Sequence, residues 1–181
     1  MPESPDARLI ERLGRGDENA LTELYDRYCD RLYRTAIALC GSRDDAEDAV
    51  HDMFLGIWSS RARIARVEDL TAYLFASLRH AAARQRERQN RHQQVVRGVQ
   101  ERLQSDRLHA TPVSEVPELH ELLAVLPAEQ QELVALKIYG GLTFAEAAAA
   151  LGISPNTAAS RYRYGLEKIR NHLIAEKHSH E

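Results

Sequence analysis

Apolar residues recur every three or four positions along most of this chain, which is the spacing of one helical face. No run of alternating β-branched residues indicates a strand. The pattern predicts four helices in the N-terminal part: 6–14, Asp17 to Gly41, Ser42 to Trp58 and 69–89. Segment 59–68 is expected to be a loop. The sequence therefore predicts an all-α protein.

Short polar signals mark several of these helix ends. Asp17 and Gly41 are residue types that commonly begin and end a helix. Ser42 with Asp45 three residues later resembles a capping box in which Asp replaces Glu. The third helix has one apolar face, and its other face is expected to carry the charged or polar residues Asp44, Asp45, Glu47, Asp48, His51 and Asp52.

A loss of periodicity divides the chain into two predicted helical domains. Residues 91–117 contain Gln, Arg, Ser and Pro without a sustained apolar face, so we interpret them as a linker. The predicted domains are residues 1–90 and 118–176. Within the second domain, Pro127 suits the first turn of a helix over 127–139.

The segment 142–170 has the layout of a helix-turn-helix. Thr143 and Glu146 form a capping box for a helix over 143–151, and Gly152 lies in a three-residue turn. Ser154 caps a last helix that extends to about 175. In a helix-turn-helix the second helix enters the major groove. Its outer face here carries groups that can contact bases or phosphates: Asn156, Thr157, Ser160, Arg161, Arg163 and Tyr164. A helical hairpin with a solvated basic face is the alternative.

Charge is distributed unevenly, although the net charge is only −3. Residues 1–60 hold seven Arg and thirteen Asp or Glu, whereas residues 61–107 hold eleven Arg and five acidic residues. Within helix 69–89 the basic residues follow Tyr73 and Phe75, so they can track phosphates beside aromatic rings that stack on unpaired bases. Solvated arginines beside core aromatics are the alternative. The acidic part can dock on a cationic protein or only aid solubility.

Several function classes find no support in the sequence. No nucleophile elbow, zinc-protease motif, phosphate-binding loop or dinucleotide fingerprint is present, so we expect no catalytic residue and no enzyme activity. Neither a metal site nor a cofactor is expected. Cys29 and Cys40 are interpreted as small core residues rather than a disulfide pair. Without a signal peptide or an apolar run of about 18 residues, a cytoplasmic protein is expected.

Three segments, in order, resemble the extracytoplasmic-function (ECF) group of bacterial sigma factors. They are DAEDAVHDMFLGIW (45–58), EDLTAYLFASLRHAAARQRER (68–88) and LPAEQQELVALKIYGGLTFAEAAAALGISPNTAASR (126–161). The resemblance covers nearly the whole chain except the linker. It implies a region 2-like bundle and a region 4-like helix-turn-helix. The family's typical residues differ at Ala147, Ala159, Tyr73 and His80, which suggests an unusual −35 preference or a weaker −35 contact.

The resemblance also implies partners and residue roles. The partners are the RNA polymerase core, through its β′ clamp helices and β flap, promoter DNA and an anti-sigma factor. The residues implied in polymerase binding are Asp48, His51, Asp52 and Leu55. Those implied in −10 DNA binding are Arg61, Arg63, Arg66, Tyr73, Arg79, His80 and Arg84. The outer face of the last helix is implied in −35 binding.

Two other functions remain open at this point. A helix-turn-helix regulator would bind duplex operators as a dimer without polymerase. A helical adaptor or inhibitor would carry a vestigial helix-turn-helix, and Ala159 together with the Ala-rich core keeps this alternative open.

The linker length generates a first prediction. About 28 residues of flexible coil have an average span of ~30 Å. Two promoter elements about one and a half helical turns apart lie ~50 Å from each other. We therefore predict that polymerase fixes the two domains and that the chain alone binds promoters poorly. Promoter affinity measured with and without core polymerase checks this, and tight specific binding by the chain alone would contradict it.

Overall fold

The computed structural model describes residues 5–100 and 122–179, with side chains over 6–91 and 122–175. The predicted all-α class is confirmed, and no strand occurs in these ranges. The helices are α1 (Pro5–Gly14), α2 (Glu18–Cys40), α3 (Arg43–Ser59), α4 (Arg61–Ile64), α5 (Leu70–Gln100), α6 (Ala128–Ile138), α7 (Phe144–Leu151) and α8 (Pro155–Ser179). Nowhere in the described ranges does a helix combine the length and hydropathy needed to cross a membrane.

Helices α2, α3 and α5 pack on one another to form the N-terminal half, residues 5–100. Leu24 and Leu32 of α2 and Phe75 of α5 are completely buried. Each such side chain contributes about 1.5–3 kcal/mol through its removal from water. The hydroxyl groups of Tyr28 and Thr71 lie 3.3 Å apart inside this core and hydrogen bond to each other. Helix α1 packs on α2 and α4 at one side of the bundle.

The ends of several helices lie where the local signals predict them. The Asp17 carboxylate accepts a hydrogen bond from the Asn19 N–H at 3.0 Å. Gly41 ends α2 in the left-handed region, at φ 82°. Pro127 directly precedes α6 instead of forming its first residue. These contacts span five residues or fewer, so they form wherever the local sequence allows.

Three boundaries differ from the prediction. Residues 61–64 form the short helix α4 inside the predicted loop 59–68, because Ile64 is fully buried and anchors this turn. Helix α5 extends to Gln100, so the first ten residues of the predicted linker 91–117 are helical. The rest of that linker lies outside the described residues. Helix α8 extends to Ser179 instead of ending near 175.

Helices α6, α7 and α8 form the C-terminal half, residues 122–179, and include the predicted helix-turn-helix. Ala147, Ala148 and Ala158 are buried where α7 meets α8. Their small side chains let the two helices approach closely. Gly165 serves the same purpose between α8 and α6, because a Cβ atom there would lie 3.0 Å from Val134 Cγ2. This close approach accounts for a glycine inside a helix, where it lowers helix propensity.

The two halves pack against each other. Helix α7 contacts α5, and α6 contacts α2, so the buried residues of both halves form one continuous cluster. Gly140 lies at this junction, where its missing side chain makes room for the Phe75 ring of α5.

The junction generates a stability prediction. We expect Gly140→Ala to lower the free energy of unfolding by about 1–3 kcal/mol through overpacking. The added methyl carbon would lie 2.6 Å from the Leu136 carbonyl oxygen and 2.9 Å from Phe75 Cε1. Gly56→Ala is the control, since the space around Gly56 is open and alanine favours the helix by up to about 1 kcal/mol. Urea denaturation monitored by circular dichroism gives the free energy of unfolding of both variants. Equal losses in Gly140→Ala and Gly56→Ala would contradict the packing argument.

Candidate nucleic-acid and protein-binding surfaces

The four residues predicted to bind polymerase lie together on the outer face of α3. Asp48, His51 and Leu55 are exposed, and Asp52 is half-buried beside them. Their spacing of three and four residues places them on one helical stripe. The opposite stripe is buried and contains Ala49, Met53 and Ile57, among others. Leu55 is apolar and 54% exposed. We call these four residues the α3 surface.

Asp45 does not belong to the exposed acidic face, contrary to the prediction. It is buried between α3 and α5, where its carboxylate accepts hydrogen bonds from the side-chain amides of Gln85, at 3.1 Å, and Gln89. The Ser42 hydroxyl also donates to this carboxylate, while accepting from the Asp45 N–H at 3.2 Å. The predicted capping box is therefore only half formed. A buried carboxylate needs such donors because burial removes its hydration.

Helix α5 also contacts the α3 surface. The Gln85 amide donates to Asp48 at 3.1 Å, and Arg88 pairs with Asp52 at 3.1 Å. Both contacts are solvent-exposed, so they hold the side chains only weakly. The carboxylates therefore remain available to a partner.

A groove between α3 and α5 brings together three of the residues predicted to bind −10 DNA. Tyr73, His80 and Arg84 line this α3–α5 groove, which has a volume of about 250 Å³. Asp52 and Ser60 complete its rim. An aromatic ring, an imidazole and a guanidinium at one groove can stack on a base and contact phosphates.

Three more predicted −10 residues extend from the turn at α4. Arg61, Arg63 and Arg66 are exposed. The Arg61 guanidinium lies 5.2 Å from the centre of the Trp58 ring and donates to the Trp58 carbonyl oxygen at 3.2 Å. Trp58 is half-buried, so one face of its ring supports this arginine instead of filling the core.

Arg79 is separated from the other predicted −10 residues. It is half-buried and points to α6, where its Nη1 atom lies 3.5 Å from a carboxylate oxygen of Glu132. Arg86 approaches the same carboxylate at 3.7 Å. The Nε atom of Arg79 is buried without a hydrogen-bond partner. In this arrangement Arg79 joins the two halves of the chain.

The predicted −35 residues occupy the start of α8 beyond a well-capped turn. Thr143 and Glu146 form both hydrogen bonds of the predicted capping box. In one of them the backbone N–H of Thr143 donates to the Glu146 carboxylate, and this hydrogen bond lowers the pKa of Glu146. Ser154 caps α8 by accepting from the Thr157 N–H at 3.1 Å. Gly152 turns the chain at φ 65°. Four predicted residues form an exposed recognition surface: Asn156, Thr157, Arg163 and Tyr164.

The other two predicted −35 residues are less accessible. Ser160 is half-buried. Arg161 turns toward α6 and pairs with Glu129 at 2.6 Å. Arg163, by contrast, lies over the ring of Tyr164 with 5.2 Å between its guanidinium carbon and the ring centre.

Sequence reasoning missed a group of side chains that positions the recognition surface. The rings of Phe144 and Tyr162 meet edge to face with centres 5.6 Å apart. The Lys137 ammonium lies 4.5 Å from the Phe144 ring centre and donates to the Leu142 carbonyl oxygen. These contacts connect α6, α7 and α8. No sequence motif predicts these contacts, because they depend on how three helices pack.

The two cysteines form no disulfide with each other. Cys29 and Cys40 are free thiols and are half-buried. Burial raises the pKa of the Cys40 thiol to about 12, and the nearby Asp45 charge adds to this effect. Within residues 5–100 and 122–179, no three His, Cys, Asp or Glu side chains come together in a group that could hold a metal ion.

Comparison with known proteins supports one family. Residues 6–175 match the sequence profile of the ECF sigma factor family. The ECF RNA polymerase sigma factor SigK of Mycobacterium ulcerans is 28% identical over an alignment of 173 positions that covers 92% of each chain. The ECF RNA polymerase sigma factor BldN of Streptomyces coelicolor is 30% identical over an alignment of 156 positions that covers 80% of this chain and 56% of BldN.

Two solved structures share the fold. CnrH, solved with the cytosolic domain of CnrY, has a TM-score of 0.72 and 21% identity, covering 94% of this chain and 97% of CnrH. The sigma factor RpoE of Bartonella quintana, solved with the anti-sigma factor NepR, has a TM-score of 0.67 and 25% identity. That match covers 84% of this chain and 96% of RpoE. The chain therefore belongs to the ECF family of RNA polymerase sigma factors, which direct core polymerase to specific promoters.

Proposed function

We propose that this sigma factor works through three surfaces, the first two of which are adjacent and share Asp52. The α3 surface binds the β′ clamp helices of polymerase, the α3–α5 groove binds the opened −10 strand, and the recognition surface on α8 binds the −35 element. One observation carries the proposal: the four residues assigned to polymerase share one stripe of α3, three of the seven assigned to −10 DNA line one groove, and four of the six assigned to the −35 element are exposed on α8.

The domain division follows from these roles. Residues 1–90 act as the region 2-like domain, residues 118–176 act as the region 4-like domain, and residues 91–117 connect them. The helical start of this connection, up to Gln100, shortens the part that is left to span the two promoter elements. Polymerase holds both domains at the required spacing.

Charge complementarity supports polymerase binding at α3. Asp48 and Asp52 present carboxylates beside the exposed apolar side chain of Leu55. A cationic protein surface would pair with the carboxylates while covering the leucine.

The α3–α5 groove has the chemistry for unpaired DNA. Tyr73 can stack on a base, while His80 and Arg84 lie along the same groove to contact phosphates. Exposed Arg61, Arg63 and Arg66 can extend the phosphate contacts. Strand opening at the promoter would then follow from binding the single strand more tightly than the duplex.

The recognition surface has the chemistry for duplex DNA. Arg163 can bind guanine through two hydrogen bonds, and the amide of Asn156 can bind adenine in the same way. The free N–H groups at the start of α8 favour a phosphate. A contact from the C-terminal half to the β flap of polymerase accompanies this binding.

The sigma factor acts by binding, and polymerase carries out the chemistry. We propose that it works in the cytoplasm and is held inactive by an anti-sigma factor. Support for the latter comes from RpoE, whose structure was solved with the anti-sigma factor NepR.

Run-off transcription with purified core polymerase on a promoter library tests the proposal. Start sites that depend on this protein are expected, because polymerase alone lacks promoter recognition. Asp48→Lys should reduce the transcripts at least about tenfold, as it places a positive charge opposite a cationic partner. Glu167→Lys, on the exposed side of α8, makes the same charge change away from the α3 surface and should leave activity near wild type. No protein-dependent start site, or equal effects of both variants, would refute the proposal.

A second experiment tests the recognition surface. Arg163→Ala should weaken −35-dependent transcription and relax selectivity at one −35 position, with a loss of about 1–3 kcal/mol for one bidentate base contact. Lys168→Ala removes a positive charge from an exposed position further along the same helix and is the control. Transcription from a set of −35 variants provides the measurement. Unchanged selectivity in Arg163→Ala would show that the surface is assigned wrongly.

A further inference from the structure

The α3–α5 groove carries only a small net positive charge. Asp52 enters it from α3 and Arg84 from α5. Arg88 lies beside the groove and pairs with Asp52 at 3.1 Å. The remaining polar groups of the described lining, apart from His80, are uncharged hydroxyls. One negative and two positive charges leave a net charge of +1. Because charge governs the attraction for DNA phosphates, one added charge changes this groove substantially.

His80 is the residue that can add this charge. It lies in the groove one helical turn before Arg84, and among the described residues of the lining it is the one histidine. Its side chain is exposed, so protons from the solvent reach the imidazole directly. Histidine is the side chain whose charge ordinarily changes between pH 5 and 8. His80 is also a position where this chain differs from the typical residue of its family.

A protonated imidazole suits a DNA strand better than a neutral one. Neutral imidazole has one N–H donor and one acceptor nitrogen, whereas the protonated ring has two N–H donors and a positive charge. Phosphate oxygens accept hydrogen bonds and are negatively charged, so they favour the protonated ring. A proton on His80 would raise the local charge from +1 to +2. Because linkage is reciprocal, the bound proton and the bound strand then stabilise each other.

We propose that His80 makes binding of the −10 strand pH-dependent, with tighter binding at lower pH. The sign follows from the charge: His80 attracts the strand when it holds a proton and loses this attraction as the pH rises. The charged groups that share the groove with it are Asp52 on α3 and Arg84 on α5. The inference rests on the proposed function, because it uses the assignment of the groove to −10 DNA.

Binding of a mixed-sequence single-stranded DNA of about twelve nucleotides to the full chain tests the inference. The DNA carries a rhodamine dye that does not respond to pH, and fluorescence anisotropy is measured at about pH 6 and about pH 8 at one ionic strength. The wild type should bind about three- to fivefold more tightly at the lower pH, as expected for one added charge pair in solvent.

Three variants assign the effect to His80. His80→Asn should lose most of the gain at low pH. His51→Asn removes an exposed histidine of α3 that lies outside the groove lining, so it should keep the gain. His80→Lys carries a permanent charge, so at about pH 8 it should bind as tightly as the wild type does at about pH 6. Circular dichroism verifies that each variant is folded.

The salt dependence of binding provides a second readout. Each phosphate neutralised on a single strand changes the slope of log K against log salt concentration by about −0.7. The wild type should therefore show a steeper slope at low pH by about this amount, whereas His80→Asn should show nearly equal slopes. The same pH response in the wild type and His80→Asn, or no DNA binding by the wild type, would overturn the inference.

The two proposals fail separately. Protein-dependent transcription together with DNA binding that does not respond to pH would support the sigma function and refute the role of His80. A pH response that disappears in His80→Asn, without any protein-dependent start site, would support the role of His80 and refute the sigma function.

Discussion

The packing of α5 is the constraint on which the other surfaces depend. Its apolar face is buried against α2, α3 and α7, so its orientation is fixed by contacts with both halves. That orientation places Tyr73, His80 and Arg84 along the α3–α5 groove and turns Arg79 toward α6. A rotation of this helix would expose core leucines, which is far more costly than losing any one polar contact.

Opposite charges inside the chain compete with the expected external partners. Arg88 lies near Asp52, Gln85 binds Asp48, and Arg79 lies near Glu132. The first two contacts are exposed, so a polymerase surface can replace them at little cost. The contact at Glu132 is less exposed and joins the two halves, so releasing it requires the halves to separate.

Family resemblance assigned candidate residues to each role, and the structure shows how buried or paired each of them is. The α3 surface was predicted correctly as a stripe because three- and four-residue spacing determines which residues share a helical face. Asp45 was placed wrongly on that face, because its donors Gln85 and Gln89 come from a distant helix. Arg161 was assigned to DNA, yet it pairs with Glu129 across the helix packing.

The sequence by itself determined the all-α class, most helix ends and the helix-turn-helix. Those features rest on hydrogen bonds and side-chain spacing within a few residues, as at Asp17, Gly41 and the Thr143–Glu146 capping box. Only the tertiary structure decided which charges are buried or paired and why Gly165 lies inside a helix. These outcomes depend on which helix faces meet, and residues up to about a hundred positions apart in the chain then come into contact, as Arg31 and Gly140 do.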